Sequence, residues 1–83
     1  VSSLDEVRAV LAVVAADVRS AFELAGQARS GLDEAVGMLK ELGVQNGQPL
    51  PPPQLLRAVD QLEHGLGAIN AGAMAVSDIA ARL

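Results

Sequence analysis

The groups able to do chemistry are few and far apart. His64 is the only histidine in 83 residues, and there is no cysteine. Transition-metal sites draw on several imidazole or thiolate ligands at short spacing, so the sequence predicts no metal centre. His64, next to Glu63, could act as a lone ligand or a proton-exchanging group, but it falls outside the apolar positions and reads as a surface histidine without a partner. Acids occur in pairs at Asp5/Glu6 and Asp33/Glu34. Neighbours in sequence diverge by about 100° on a helix, and neither pair sits in an apolar concavity suited to acid–base work. Ser2, Ser3, Ser20, Ser30 and Ser77 have no histidine and acid arranged beside them, which leaves no activated nucleophile. The expectation is a chain that is not an enzyme.

Composition narrows the possible ligands. Hydrophobic residues make up 51% of the chain, yet Phe22 is the only aromatic. Large rings that line ligand pockets or stack on bases are missing, so no cofactor and no small-molecule substrate are expected. Six basic residues against ten acidic ones give a net charge of −4, the wrong sign for a phosphate-binding stripe. Nucleic acid is not expected as a partner on that ground. Pro49-Leu50-Pro51-Pro52-Pro53 contains the PxxP spacing that proline-binding domains read, although its place between two helical segments favours a stiff turn.

What remains is helix-interface material, and its pattern is regular. A capping-box signature, Ser3-Leu4-Asp5-Glu6, marks a helix start, with Asp5 and Glu6 placed to complement the helix dipole. From there Leu4, Val7, Leu11, Val14, Val18, Ala21, Ala25, Ala28, Leu32, Ala35, Leu39 and Leu42 alternate spacings of three and four with no polar exception. That is a heptad seam. Gly43 is positioned as a left-handed helix terminator, and the prolines that follow forbid helical hydrogen bonds until one of them can open a second helix. The alternation then resumes at Leu55, Val59, Leu62, Leu66, Ile69, Ala73, Val76, Ala80 and Leu83. A competing reading breaks the first helix near Gly26 and Gly31, where Ser30-Gly31-Leu32-Asp33-Glu34 echoes the opening pattern. The heptad phase runs through that region unbroken, which favours one helix.

The predicted fold is therefore all-α: a single-domain, two-helix antiparallel coiled-coil hairpin, with helices over about 3–43 and 53–83 and a proline-rich turn at 44–52. At 1.5 Å per residue the helices span roughly 60 Å and 45 Å, so a fold near residue 48 sets Leu83 beside Val14 and leaves the opening turns unmatched. The first helix also carries Val10, Leu24 and Met38 on one shoulder of the seam and Ala15, Phe22 and Val36 on the other, an arc too wide for one partner helix. Two hairpins assembled as a dimeric four-helix bundle would bury it. Leu4, Val7, Val10, Leu11, Val14, Val18 and Phe22 are the expected partner-binding residues. The partner is expected to be a second copy or another helical protein. Gly26, Gly31, Gly37, Gly65, Gly67 and Gly72 fall inside the helices at about 1 kcal/mol each relative to alanine, and close approach of helix backbones is the expected reason.

The segment Val10–Ala16 is apolar, but acids precede it and it is far too short to span a bilayer. Localisation is expected to be cytoplasmic or by export without a cleavable signal. The Ala/Gly/Val/Arg-rich usage, with Lys40 the only lysine, fits a high-GC bacterial genome. Val1 fits a GTG start or the edge of a fragment. In length, two helices, central turn, acidity and lack of cysteine, the whole chain resembles the Trp-x-Gly hairpins of actinobacterial type VII secretion. Leu42-Gly43-Val44 occupies the place of the Trp-x-Gly motif, and no tyrosine is present for the C-terminal export signal. The resemblance implies dimerising hairpins that are secreted folded. A docking segment of a larger protein, or a small chaperone- or antitoxin-like regulator, are the alternative expectations.

Overall fold

Two apolar seams separated by one set of helix breakers give two helices, α1 (Ser3–Asn46) and α2 (Pro53–Arg82), in a computed structural model that describes residues 3–83. Val1, and Ser2 among the serines considered above, lie outside the described residues. The helices lie antiparallel in a rod measuring 67 × 15 × 14 Å. The all-α hairpin is the fold expected. α1 is continuous through Gly26 and Gly31, so the second Ser-to-Glu echo at Ser30 does not start a new helix. Ser3 is already helical, and Asp5 and Glu6 occupy the first turn, where the dipole favours them.

The turn differs from expectation in a way that resets everything beyond it. Gly43 is not the terminator; it is helical and buried, and α1 runs on to Asn46. The left-handed position is taken by Gly47, at φ 68°. The Gln48 N–H donates to the Gly43 carbonyl at 3.0 Å, the long bond of a Schellman cap. The Asn46 side chain adds a second tie by donating to the Leu42 carbonyl at 2.7 Å. From Gly47 the chain doubles back across α1. A methyl group at Gly43 would collide with the Gln48 carbonyl oxygen and come within 3.3 Å of the Leu50 nitrogen, so glycine is required at that crossing. Pro52, at φ −68° and ψ 144°, then caps α2 with Pro53 as its first residue. The Leu55 and Leu56 N–H groups donate to the Pro52 carbonyl at 3.0 and 3.3 Å.

Doubling back moves the register. Arg29 reaches Glu63, Ala15 and Phe22 share a hollow with Ser77 and Asn70, and Arg8 donates to the Leu83 carbonyl. Leu83 therefore lies beside Arg8, not Val14. The part of α1 that extends past the end of α2 shrinks to roughly residues 3–7, about 8 Å of helix.

The seam on α1 is also rotated. The half-buried positions there include Leu11, Ala15, Val18, Ala25, Arg29, Leu32 and Leu39, with Val36 and Gly43 fully buried. One half of the predicted seam is used: Leu11, Val18, Ala25, Leu32 and Leu39. Its other half, Val7, Val14, Ala21, Ala28 and Leu42, is exposed, with only Ala35 half-buried. The helix has turned by about 50° from the expected facing, half of one 100° residue step. In mid-helix the rotation favours bulk, setting Phe22 against α2 where Ala21 would have been and burying Val36, since larger side chains remove more apolar area from water at about 25 cal/mol per Å². At its ends it gives up Val14 and Leu42 for Ala15 and for Gly43, whose bare backbone the returning segment crosses. Arg29 comes with them, its guanidinium emerging at the edge to meet Glu63. On α2 the expected seam holds from Leu55 to Val76, all of it half-buried, while Ala80 and Leu83 are exposed.

Candidate interaction surface

Packing along one seam leaves each helix two flanks, and two hollows along the helix junction identify the sides. One is lined by Ala15, Arg19 and Phe22 of α1 with Asn70, Ala73 and Ser77 of α2. The Arg29–Glu63 ion pair, at 3.3 Å, bridges the helices on this same flank, with Asp33 3.7 Å from the Arg29 Nε. The other hollow is lined by Ala25 of α1 with Ala58, Gln61, Leu62, Gly65, Leu66 and Ile69 of α2. The hairpin is thus a two-helix ribbon with a polar side and an apolar side.

Heptad geometry extends the apolar side along both helices. On α1 it comprises Val7, Val10, Val14, Ala21, Leu24, Ala28, Gly31, Ala35, Met38 and Leu42, with Asp17 its one charge. This is a second seam at three–four spacing, next to the one α2 covers. Leu24 is 66% exposed, Val10 61% and Met38 57%. On α2 the matching flank runs Gln54, Ala58, Gln61, Gly65, Ala68, Gly72, Ala75, Ile79 and Arg82, small over its middle and with Arg82 its one charge. Among the described residues only Val36, at 7% exposure, is a buried hydrophobe. The hairpin by itself has almost no core.

The expected partner-binding residues divide between these surfaces. Leu4, Val7, Val10 and Val14 are exposed; Leu4 and Val7 lie beyond the end of α2, and Val7, Val10 and Val14 belong to the open apolar side. Val7, Val10 and Leu11 line one shallow hollow with Ser3 and Glu6. Leu11 and Val18 are half-buried toward α2, and Phe22 lies in the polar-side hollow. The N-terminal cluster is therefore one end of a surface that runs the length of the ribbon. Sequence reasoning left Leu24, Met38, Leu42 and the small flank of α2 out of the site, although it set Leu24 and Met38 on one shoulder of the α1 seam. The signal was present in the sequence: Ala58, Gly65, Gly72 and Ile79 recur every seven residues.

The remaining candidates resolve locally. His64 is not partnerless, since its Nδ1 lies 2.9 Å from the Asp60 carbonyl oxygen and 3.8 Å from the Asp60 carboxylate, one turn earlier. The glycines predicted to admit a close helix do not do so inside the hairpin. A methyl group at Gly26, Gly31, Gly37, Gly65, Gly67 or Gly72 would meet nothing within 4 Å. Pro49 and Pro51 line an open groove with Lys40, Val44 and Leu56 at the tip, and the PxxP segment is spent on the turn. Among the described residues no group of three or more His, Cys, Asp or Glu could hold a metal ion. No helix among the described residues is long and apolar enough to cross a membrane. Comparison with protein-family models, curated proteins and solved structures finds no match.

Proposed function

We propose that the chain is a non-enzymatic interaction module that works by docking helices on its open apolar side. One observation carries the reading: α1 has two adjacent heptad seams, and the hairpin covers only one of them. A helix inside a four-helix bundle needs two such seams, one for each neighbour. Burial points the same way, because a ribbon with one buried hydrophobe lacks the interior from which small domains draw their stability. The resemblance to dimerising Trp-x-Gly hairpins supports the same reading at the level of architecture. A photo-crosslinking residue in place of Leu24, on the apolar side, or of Met74, beside Asn70 on the polar side, tests it in cells of the native host. The expected result is a discrete covalent adduct from position 24 and none from position 74. Absence of adducts from both positions overturns the reading.

A further inference from the structure

We infer that the helices docked on the apolar side belong to a second copy of this chain, related by a two-fold axis parallel to the helices, so that α1 of each copy lies over α2 of the other. This rests on the interaction reading above and names its partner.

Area supports a second copy. A compact monomer of 8.5 kDa exposes about 4,650 Å², whereas this chain exposes 6005 Å². The excess, roughly 1,350 Å², exceeds the ~800 Å² per partner that a standard stable interface buries. One further hairpin laid on the apolar side is of the right size to remove it.

Shape selects the arrangement. The register that sets Phe22 level with Asn70 also sets Leu24 level with Ala68. Leu24 is the most exposed large side chain on the apolar side. Ala68 is flanked one turn away by Gly65 and Gly72, and beta carbons at both glycines would meet open space. A bump on one helix thus lies beside a hollow on the other, at the same height. A two-fold axis running along the ribbon carries each bump over the partner's hollow, twice, as an isologous interface requires. An axis across the ribbon would instead stack the two α1 helices and bring Leu24 near the partner's Leu24 at mid-length, bump upon bump. Asp17 is the single charge on the α1 flank, and neither Ala68 nor its flanking glycines place a like charge in the central contact.

Sedimentation equilibrium of the full chain tests the partner, and disulfide exchange tests the arrangement. The chain is expected to sediment at twice 8.5 kDa, with Leu24→Glu weakening association about 100-fold or more, as for a central anchor. A helical, monodisperse monomer at ~100 µM, far above the dissociation constants of standard interfaces, overturns the second-copy inference. In that case a position-24 adduct with a different protein would leave the interaction reading standing. Leu24→Cys and Ala68→Cys chains, mixed in a glutathione buffer, are expected to accumulate the mixed disulfide over either symmetric one. Both are small changes, and circular dichroism verifies that the helices persist. Dominance of the symmetric Leu24→Cys disulfide overturns the arrangement.

Discussion

The two broad sides of the ribbon are built from the same helices and differ in almost every physical respect. On the polar side the junction is edged by Arg19, Arg29, Glu63 and Asn70, and the helices are joined there by an ion pair. On the apolar side α1 presents valine, leucine and methionine, and α2 presents alanine and glycine. Water solvates the first side without penalty. It can solvate the second only against the hydrophobic effect, and contiguous apolar patches of that extent mark association sites. Exposure alone therefore does not identify function in this chain, because single exposed hydrophobes occur on both sides. What distinguishes the sides is periodicity: the exposed apolar residues of one side continue at heptad spacing, and those of the other do not.

Leu24 and Met74 allow the sharpest test of this difference, being 66% and 62% exposed and on opposite sides. In isolation neither contact would matter, and both glutamate variants would fall within about 0.5 kcal/mol of the parent. With the apolar side docked, Leu24→Glu is expected to lower apparent stability by about 2–4 kcal/mol at micromolar concentration. The melting midpoint then drops by roughly 10 °C or more and loses its dependence on concentration. Met74→Glu is expected to leave both unchanged. Equal effects of the two variants in thermal unfolding would erase the distinction between the sides.

The division into sides depends on one register, and that register is set at Gly43. The returning segment crosses α1 where a side chain would meet the Gln48 carbonyl and the Leu50 nitrogen. Gly43→Ala is expected to cost about 1–3 kcal/mol, the usual range for overpacking a tight contact, as measured by chemical denaturation. A neutral result would mean that the segment does not cross there, and the level pairing of Leu24 with Ala68 would lose its basis.

How much of this was legible in the sequence follows from what each feature depends on. Helix existence and the seam of α2 are written in periodicity, and the antiparallel pairing in the shortness of the proline-rich connection, all local properties that survive in one dimension. The termination at Gly47 was hidden because Gly43 satisfies the same local rule. Only the tertiary crossing, which needs a missing side chain at residue 43, decides between the two glycines. The rotation of α1 was hidden for a related reason: its apolar arc contains two overlapping seams of similar regularity. The choice between them turns on the bulk of Phe22 against Ala21 in mid-helix and on the bare backbone needed at Gly43, neither of which a two-letter apolar pattern records. The candidate site inherited both uncertainties. Val7, Val10 and Val14 were found because the predicted overhang pointed to them, Leu24 and Met38 were left on the shoulder because they lay outside it, and Gly65, Ala68 and Gly72 were missed as surface because small residues announce themselves only by spacing.

Glycine substitutions probe the sides more gently. Gly67 follows the polar flank of α2 and Gly72 the apolar flank, and methyl groups at both would meet open space within the hairpin. Gly67→Ala is expected to stabilise by about 0.5–1 kcal/mol through helix propensity and reduced freedom of the unfolded chain. Gly72→Ala has the same local gain but narrows the hollow that receives the partner's α1, so at concentrations where the chain associates its net effect is expected to be zero or destabilising. Denaturation of both variants over a hundredfold range of protein concentration separates the cases. Equal gains at every concentration would show that no helix packs on the α2 flank.

The smallest effect is expected on the polar side itself. Arg29 and Glu63 meet at 3.3 Å, but their side chains remain 38% and 58% exposed, and ion pairs so open to water couple by about 0.2–1 kcal/mol. Asp33, at 3.7 Å and 52% exposed, competes for the same guanidinium, which divides the interaction further. A double-mutant cycle through Arg29→Ala and Glu63→Ala is expected to return a coupling in that range. It should vanish in about 1 M salt, where the Debye length falls to roughly 3 Å. The sign of the deviation matters as much as its size. A coupling above about 2 kcal/mol that persisted in salt would require the pair to be shielded from solvent, and nothing in a hairpin docked only by its apolar side shields it. That result would place a partner on the polar side, and the contrast between the two faces would have to be drawn the other way round.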